Sequence, residues 1–214
     1  MKLALSRIHF PVTALGPGTR VGIWFRGCSI QCPGCIGQDT WAFGESVTSV
    51  LEVVNVVSEW TDVADGVTIS GGEPFDQSAA LKALLTNLRG LVSGDILVYT
   101  GYSLQSISNR LHDMSGLIDA IITEPFKRDD PQTLPLRGSD NQMLHLLTPL
   151  ARQRYANANI PLRADDKTLD IMFDEDDTVW IAGIPRRGDL NSLLQLLQHK
   201  GLSACTTEDL RGSA

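Results

Sequence analysis

Apolar positions in this chain follow two rhythms, a period near two and a period near 3.6, and the two take turns. Residues 3–15 place Leu3, Leu5, Ile8, Phe10, Val12 and Leu15 at loosely alternating positions, which predicts an opening strand or hairpin. Gly16-Pro17-Gly18 imposes a turn, because two glycines flank a residue of fixed φ. Val21 to Phe25 is an unbroken β-branched and aromatic run, the pattern of a buried strand. From Ser46 to Trp60 the spacing becomes helical, with Ser46 or Ser49 placed to cap and Val50, Leu51, Val53, Val54 and Val57 on a wide apolar face. So many valines lower intrinsic helix propensity, so packing must hold this helix.

The same exchange then repeats. Val67 to Ser70 reads as a short strand running into Gly71-Gly72-Glu73-Pro74, and Ser78 to Arg89 as an amphipathic helix with Leu81, Leu84, Leu85 and Leu88 inward. Ile96 to Tyr99 is the next strand, followed by Thr100-Gly101-Tyr102 and a helix from about Ser103 to Leu111; Leu117 to Ile122 is strand again. Strands alternating with helices of this length mean βαβ units and a mainly parallel sheet. After Glu124 the rhythm breaks. Lys127 to Asn141 is charged and turn-rich, longer than ordinary connections, and a candidate lid or substrate loop. Met143 to Leu147 predicts a strand, Pro149 to Tyr155 a short helix, and residues 156–167 a polar linker. Leu169 to Phe173 and Thr178 to Ala182 predict an antiparallel hairpin about the acidic turn 174–177, and Asp189 to His199 a closing helix. A complete (βα)8 barrel takes about 250 residues. Some four βα steps followed by a hairpin point instead to an incomplete, TIM-like barrel with helices outside. The expected organisation is one domain over residues 1–202, with a core at about 8–147, a carboxyl-terminal extension at 148–202 and a tail at 203–214.

Composition adds mainly exclusions. With 214 residues, 43% of them hydrophobic, the chain is large enough for one well-filled core. A formal net charge of -7 offers no global attraction for nucleic acid or an anionic membrane. No apolar run reaches the roughly 18 residues of a membrane span, and the first residues lack the plan of a signal peptide. Few cysteines, most of them clustered, suit a reducing cytoplasm.

That cluster changes the picture. Cys28, Cys32 and Cys35 are three of the four cysteines, spaced C-x3-C-x2-C in a polar loop that follows a predicted strand. A disulfide would leave one of them over, whereas three thiolates can each hold one iron of a [4Fe–4S] cube and leave the fourth iron open. A zinc site or a ferredoxin-like electron carrier with Cys205 as fourth ligand is the alternative. Cys205 lies in the polar tail and is read as a free thiol. His112, His145 and His199 have no ligand spacing and read as structural or surface residues. Arg20 and Arg26 flank the cysteine strand, placed either to compensate cluster charge or to pair with carboxylates. Ligands of parallel α/β sheets sit at the carboxyl ends of strands. The cysteine loop, Gly71 to Pro74 and Thr100 to Tyr102 each follow a predicted strand directly, so all three meet at one rim.

The order of these motifs resembles the radical S-adenosylmethionine (SAM) superfamily. Gly16-Pro17-Gly18-Thr19-Arg20 and Asp39-Thr40-Trp41 resemble its glycyl-radical-enzyme activases. Val98 to Tyr102, Pro125-Phe126 and Arg137-Gly138-Ser139-Asp140-Asn141-Gln142 resemble, more narrowly, those of anaerobic ribonucleotide reductase, over roughly residues 8–147. The resemblance implies a [4Fe–4S] cluster on Cys28, Cys32 and Cys35, and SAM on the open iron. It places SAM against Gly34, Ile36, Ser70, Gly71, Gly72, Glu73, Pro74, Thr100 and Tyr102, with the Glu73 carboxylate near the SAM ammonium. The implied activity is reductive cleavage of SAM to a 5′-deoxyadenosyl radical that generates a glycyl radical on a partner enzyme. A flavodoxin- or ferredoxin-type reductant is the implied second partner. A radical SAM enzyme acting on a peptide or small molecule, and a redox carrier that does not turn over SAM, are the other two functions open to such a chain.

Overall fold

The computed structural model describes residues 1–44, 47–163, 165–166, 168–173 and 179–201. Its centre is a seven-stranded sheet built from β1 (Lys2–Val12), β2 (Arg20–Phe25), β3 (Val47–Ser49), β4 (Gly66–Gly71), β5 (Asp95–Tyr99), β6 (Ala120–Thr123) and β7 (Met143–Leu146), in the order β3-β1-β2-β4-β5-β6-β7. The β2–β4–β5–β6 run is parallel throughout; β1 pairs antiparallel with β2 and β3, and β7 antiparallel with β6. Mixed α/β architecture with a mostly parallel sheet is thus what the alternating rhythms produce. Among the described residues the sheet is open, with β3 and β7 as its edges.

Successive residues of a strand face opposite sides, and each side has its own cover. Val21, Ile23 and Phe25 of β2, Val67 and Ile69 of β4, Ile96 and Val98 of β5 and Ile121 of β6 face the helices and form the main core. They meet Val50, Val53, Val54 and Val57 of α1 (Val50–Ser58), Leu81, Leu84, Leu85 and Leu88 of α2 (Ser78–Arg89), and Ile107 of α3 (Leu104–His112). Burying a leucine or valine side chain contributes about 1.5–3 kcal/mol, so the valine-rich α1 is held by this face rather than by propensity.

The opposite face is covered by the carboxyl-terminal third. Ala151, Tyr155 and Ala158, in and after α4 (Pro149–Arg154), pack on Leu97, Ala120 and Ile122. Beyond them β8 (Leu169–Phe173) and β9 (Val179–Gly183) form an antiparallel hairpin that brings Met172, Ala182, Trp180 and Ile184 against Val12, Leu15, Trp24 and Tyr99. The last helix is α5 (Asp189–His199).

Two expectations change and one open choice closes. Residues 47–49 are strand rather than helix: they pair with Lys2, Leu3 and Ala4, and Ser49 begins α1 with a capping box to Glu52. Ser46, the other proposed cap, lies outside the described residues, as do the 174–177 turn and Cys205. β6 begins at Ala120 rather than Leu117, because the Asp119 carboxylate is engaged at the strand entrance by Ile96 N–H, Arg89 and Thr148. Arg20, finally, sits at the amino end of β2, away from the cysteines. Its guanidinium is fully buried, bonded to both carboxylate oxygens of Asp95, to Thr68 Oγ1 and to the Pro17 and Val67 carbonyls. Pairing with a carboxylate, not compensation of a cluster, is its role, and the Gly16-Pro17-Gly18 turn supplies one of its acceptors.

Candidate metal centre

β2 delivers the chain at Phe25 into the cysteine loop, and the loop curls because its backbone can turn left-handed. Gly27 (φ 95), Gln31 (φ 49) and Gly34 (φ 78) all take positive φ. Cys35 N–H closes a turn on the Cys32 carbonyl at 3.0 Å. The return strand of the loop is tied to its outward strand: Gly27 N–H donates to the Thr40 carbonyl (2.7 Å) and Cys28 N–H to that of Trp41 (3.1 Å). Asp39-Thr40-Trp41 is therefore the closing clasp of the loop.

All three cysteines are free thiols; Cys28 is buried and Cys32 and Cys35 are half-buried. Burial pushes Cys32 and Cys35 up, Cys35 to about 11, and each is pushed further by the negative charge its neighbouring cysteines would carry. Against this, N–H groups face the sulfurs. Phe126 N–H favours the Cys32 thiolate, and Gly37 N–H with the Trp41 side chain favours that of Cys35. Gln31 N–H lies 3.5 Å from Cys28 Sγ. Three cysteines on one loop, each sulfur met by an N–H donor, suit an iron–sulfur centre, whose irons would take the place of the thiol protons. Among the described residues no three His, Cys, Asp or Glu side chains converge on a single ion. A cube requires less convergence, since each thiolate binds its own iron.

The other two strand ends meet the loop as expected, but by different atoms. Gly72 N–H donates to the Phe25 carbonyl and Glu73 N–H to that of Gly27, both at 2.8 Å. A Cβ on Gly71 would lie 2.4 Å from the Phe25 carbonyl oxygen, and one on Gly72 would lie 2.2 Å from that of Gly27. These glycines are therefore required by the cysteine loop packing on them. Glu73 is 1% exposed, and its carboxylate accepts from Phe75 N–H, Thr100 Oγ1 and Gly101 N–H, each at 2.8 Å. Burial pushes its pKa up to about 7 in spite of these donors. It joins the end of β4 to the end of β5. Pro74 is buried and starts a 3-10 turn that Glu73 caps.

Ser70 is half-buried at the end of β4, in register with Trp24; Gly34 lies under the Arg128 side chain, and Ile36 is exposed on the loop. Tyr102 Oη donates to Asp76 Oδ1 (2.7 Å) and lies 2.9 Å from Ser29 Oγ, while Ser29 N–H donates to Asp76 Oδ2 (2.8 Å). Asp76 thus clasps the cysteine loop to the end of β5. No motif pointed to it; its place two residues after Pro74 was the only signal. Gln77 is a second such residue, its amide donating to the Ala4 and Arg26 carbonyls.

The 137–142 motif also resolves. Arg137 is 3% exposed and bonds the Ala158 carbonyl and Asn159; Asn141 and Gln142 donate to the Pro125 and Glu124 carbonyls, and Ser139 accepts from Lys127 N–H. Its side chains hold the loop after β6 in place, so this stretch is tied down along its length. His145 pairs with Thr123 Oγ1 within the β6–β7 edge.

The family model for a 4Fe-4S single cluster domain matches residues 14–145. The anaerobic ribonucleoside-triphosphate reductase-activating protein of Escherichia coli (strain K12) is 32% identical over 149 residues, which cover 65% of this chain and 96% of that protein. The chain belongs to this family. The protein of the same name from Haemophilus influenzae is 31% identical (64% of this chain, 94% of that protein), and that of Enterobacteria phage T4 is 31% identical (60% and 85%). As a member, the chain is an enzyme of the radical SAM type whose cofactors are a [4Fe–4S] cluster and SAM. About a third of it has no counterpart in these relatives, and residues 146–214 lie beyond the family model.

Proposed function

We propose that this chain is an activase that generates a glycyl radical on a partner enzyme, with an anaerobic ribonucleotide reductase as the partner its relatives indicate. The supporting observation is the cysteine loop: three thiols, each met by an N–H donor, on a loop fixed to two further strand ends. Cys28, Cys32 and Cys35 would hold three irons of the cluster and leave the fourth for SAM; the pair would supply one-electron chemistry, reductive cleavage of SAM and abstraction of a hydrogen atom from the substrate.

The chain's own residues position this chemistry. Gly34, Ile36, Ser70, the Gly71–Pro74 turn, Thr100 and Tyr102 are the residues that would receive SAM, and the Glu73 carboxylate ties the ends of β4 and β5 together there. The open sheet is read as an incomplete TIM-like barrel, with residues 8–147 as the catalytic core and 148–202 as an extension of the same domain. No helix among the described residues is long and apolar enough to cross a membrane. A cytoplasmic location and a flavodoxin- or ferredoxin-type reductant complete the proposal.

The test is anaerobic reconstitution with iron and sulfide, followed by dithionite and SAM. 5′-Deoxyadenosine is expected, and adding the partner reductase should give an organic-radical electron paramagnetic resonance signal on that partner. A reducible cluster that cleaves no SAM sinks the enzymatic reading; cleavage without a radical on the partner sinks the activase assignment.

A further inference from the structure

The carboxyl-terminal segment beyond the family model is anchored to the sheet and reaches the loop after β6, which lies beside the cysteine loop. Asp170 of β8 accepts from Thr13 N–H (2.7 Å), Ala14 N–H (2.8 Å) and Thr13 Oγ1 (2.7 Å), which fixes the hairpin to the end of β1. Trp180 of β9 packs edge-on to Trp24 and His9 at 5.2 and 5.0 Å, with the Arg7 guanidinium 4.1 Å over its ring. Leaving this anchor, the chain passes the loop after β6 side by side. Gln132 donates to the Pro185 carbonyl (3.0 Å), and Arg187 donates to the Asp130 carbonyl (2.9 Å) and, at 3.5 Å, to that of Lys127. The Arg187 guanidinium also lies 5.5 Å over the Phe126 ring.

Residues 126–130 in turn lie against the cysteines. The Arg128 side chain covers Gly34, so that a Cβ there would stand 3.1 Å from Arg128 Cδ, and Phe126 N–H faces Cys32. Lys127, Arg128, Asp129 and Asp130 are too polar to be held by apolar burial, so neighbouring donors and acceptors must set the position of this stretch. We propose that Arg187 is a positioning residue for the cluster: it holds residues 126–130 on the cysteine loop, and the extension thereby sets hydrogen bonding and solvent access at Cys32. The proposal rests on the reading of Cys32 as a cluster ligand. Reduction potentials of iron–sulfur clusters follow hydrogen bonds to their sulfurs, net charge and exposure. Loss of a hydrogen-bond donor to the sulfur, with more solvent at Cys32, would destabilise the cluster, and loss of the donor disfavours its reduced, more negative state.

The experiment uses the full chain, reconstituted anaerobically without SAM, and compares wild type, Arg187→Ala and Arg187→Lys. Arg187 is exposed, so the thermal unfolding of Arg187→Ala is expected to match wild type. Its iron content should also match. Its midpoint potential should be more negative, and iron loss to a chelator about fivefold faster, the factor that corresponds to one hydrogen bond of about 1 kcal/mol. Arg187→Lys keeps the charge but not the planar group over Phe126, and should fall between the two. Wild-type potential and wild-type iron loss in Arg187→Ala would overturn the positioning role while leaving the cluster assignment intact. Full iron retention in Cys32→Ala would instead remove the ligand reading, and the positioning proposal with it.

Discussion

At the amino ends of β2, β4 and β5, Arg20 and Asp95 are both fully buried, 2.9 Å apart, with Thr68, Tyr155, Arg154 and three backbone carbonyls completing their bonds. At the carboxyl ends of β2 and β4, Cys32, Cys35 and Glu73 are also drawn out of water, but there burial pushes their pKa values up. At the first end burial alone would raise the Asp95 pKa, yet the Arg20 bond and charge, with Tyr155 and Arg154, bring it below the usual carboxylate range. No comparable cation offsets the thiols within the described loop. One end is electrostatically paired as folded; the other holds groups whose charged forms burial disfavours. The difference separates polar burial that specifies the fold from polar burial that prepares a site.

The comparison breaks most sharply at Cys32. Cys32→Ala should lose the cluster and all SAM cleavage while keeping its far-ultraviolet circular dichroism, since no strand depends on that thiol; iron analysis beside the spectrum decides it. At the other end, Arg20→Ala should leave the thiols in place but lower unfolding free energy by about 3–5 kcal/mol, the cost of stranding one partner of a buried pair. Urea denaturation measures this, and a loss under 1 kcal/mol would show that the network is not what specifies that end.

The same pair has a pH signature. Because the folded Asp95 pKa lies below its unfolded value, the stability it contributes is present above the unfolded pKa, about 3.9, and is lost as pH falls through the folded one. The stability gap between wild type and Asp95→Asn should therefore narrow on acidification below about pH 4; a gap independent of pH refutes the charge assignment. Glu73→Gln tests the clamp between strand ends. A single amide oxygen replaces a carboxylate that accepts three bonds, so a loss of about 1–3 kcal/mol is expected, with SAM cleavage falling more than cluster content. The smallest effect belongs to Tyr102→Phe, which removes one bond to Asp76. It should cost about 1 kcal/mol or less, read as a small shift in thermal unfolding with the cluster retained.

Much of the fold was legible because local rules and tertiary packing agree. The leucine spacing of Ser78–Arg89 and Asp189–His199 gave those helices their observed bounds, and the β-branched runs at 21–25, 67–70 and 96–99 gave the parallel strands within a residue or two. Residues 47–49 were misread because Val47 continues the valine pattern of α1; only pairing with Lys2, Leu3 and Ala4 makes them strand. In the site, the cysteines and the two turns could be read from spacing and strand context. Asp76 and Gln77 could not, since their contribution is a carboxylate or an amide brought from a separate turn; Trp41 and Phe126 lay in motifs marked by resemblance, but their contacts with the cysteines appear only in the fold.

What the sequence by itself determined, then, is the cofactor chemistry and the order of elements that brings three loops to one rim. Thiolate number and spacing are covalent properties of a short segment, and hydrophobic period is a local one. The tertiary structure alone decided which atoms do what at that rim. It turned Gly71 and Gly72 into packing surfaces for the cysteine loop, Glu73 into a clamp and Arg20 into the buried lock of the opposite end. It also laid the carboxyl-terminal hairpin across the second face of the sheet and carried Arg187 to the loop beside Cys32. Those assignments depend on contacts between residues tens of positions apart, and such contacts exist only once the sheet has brought them together.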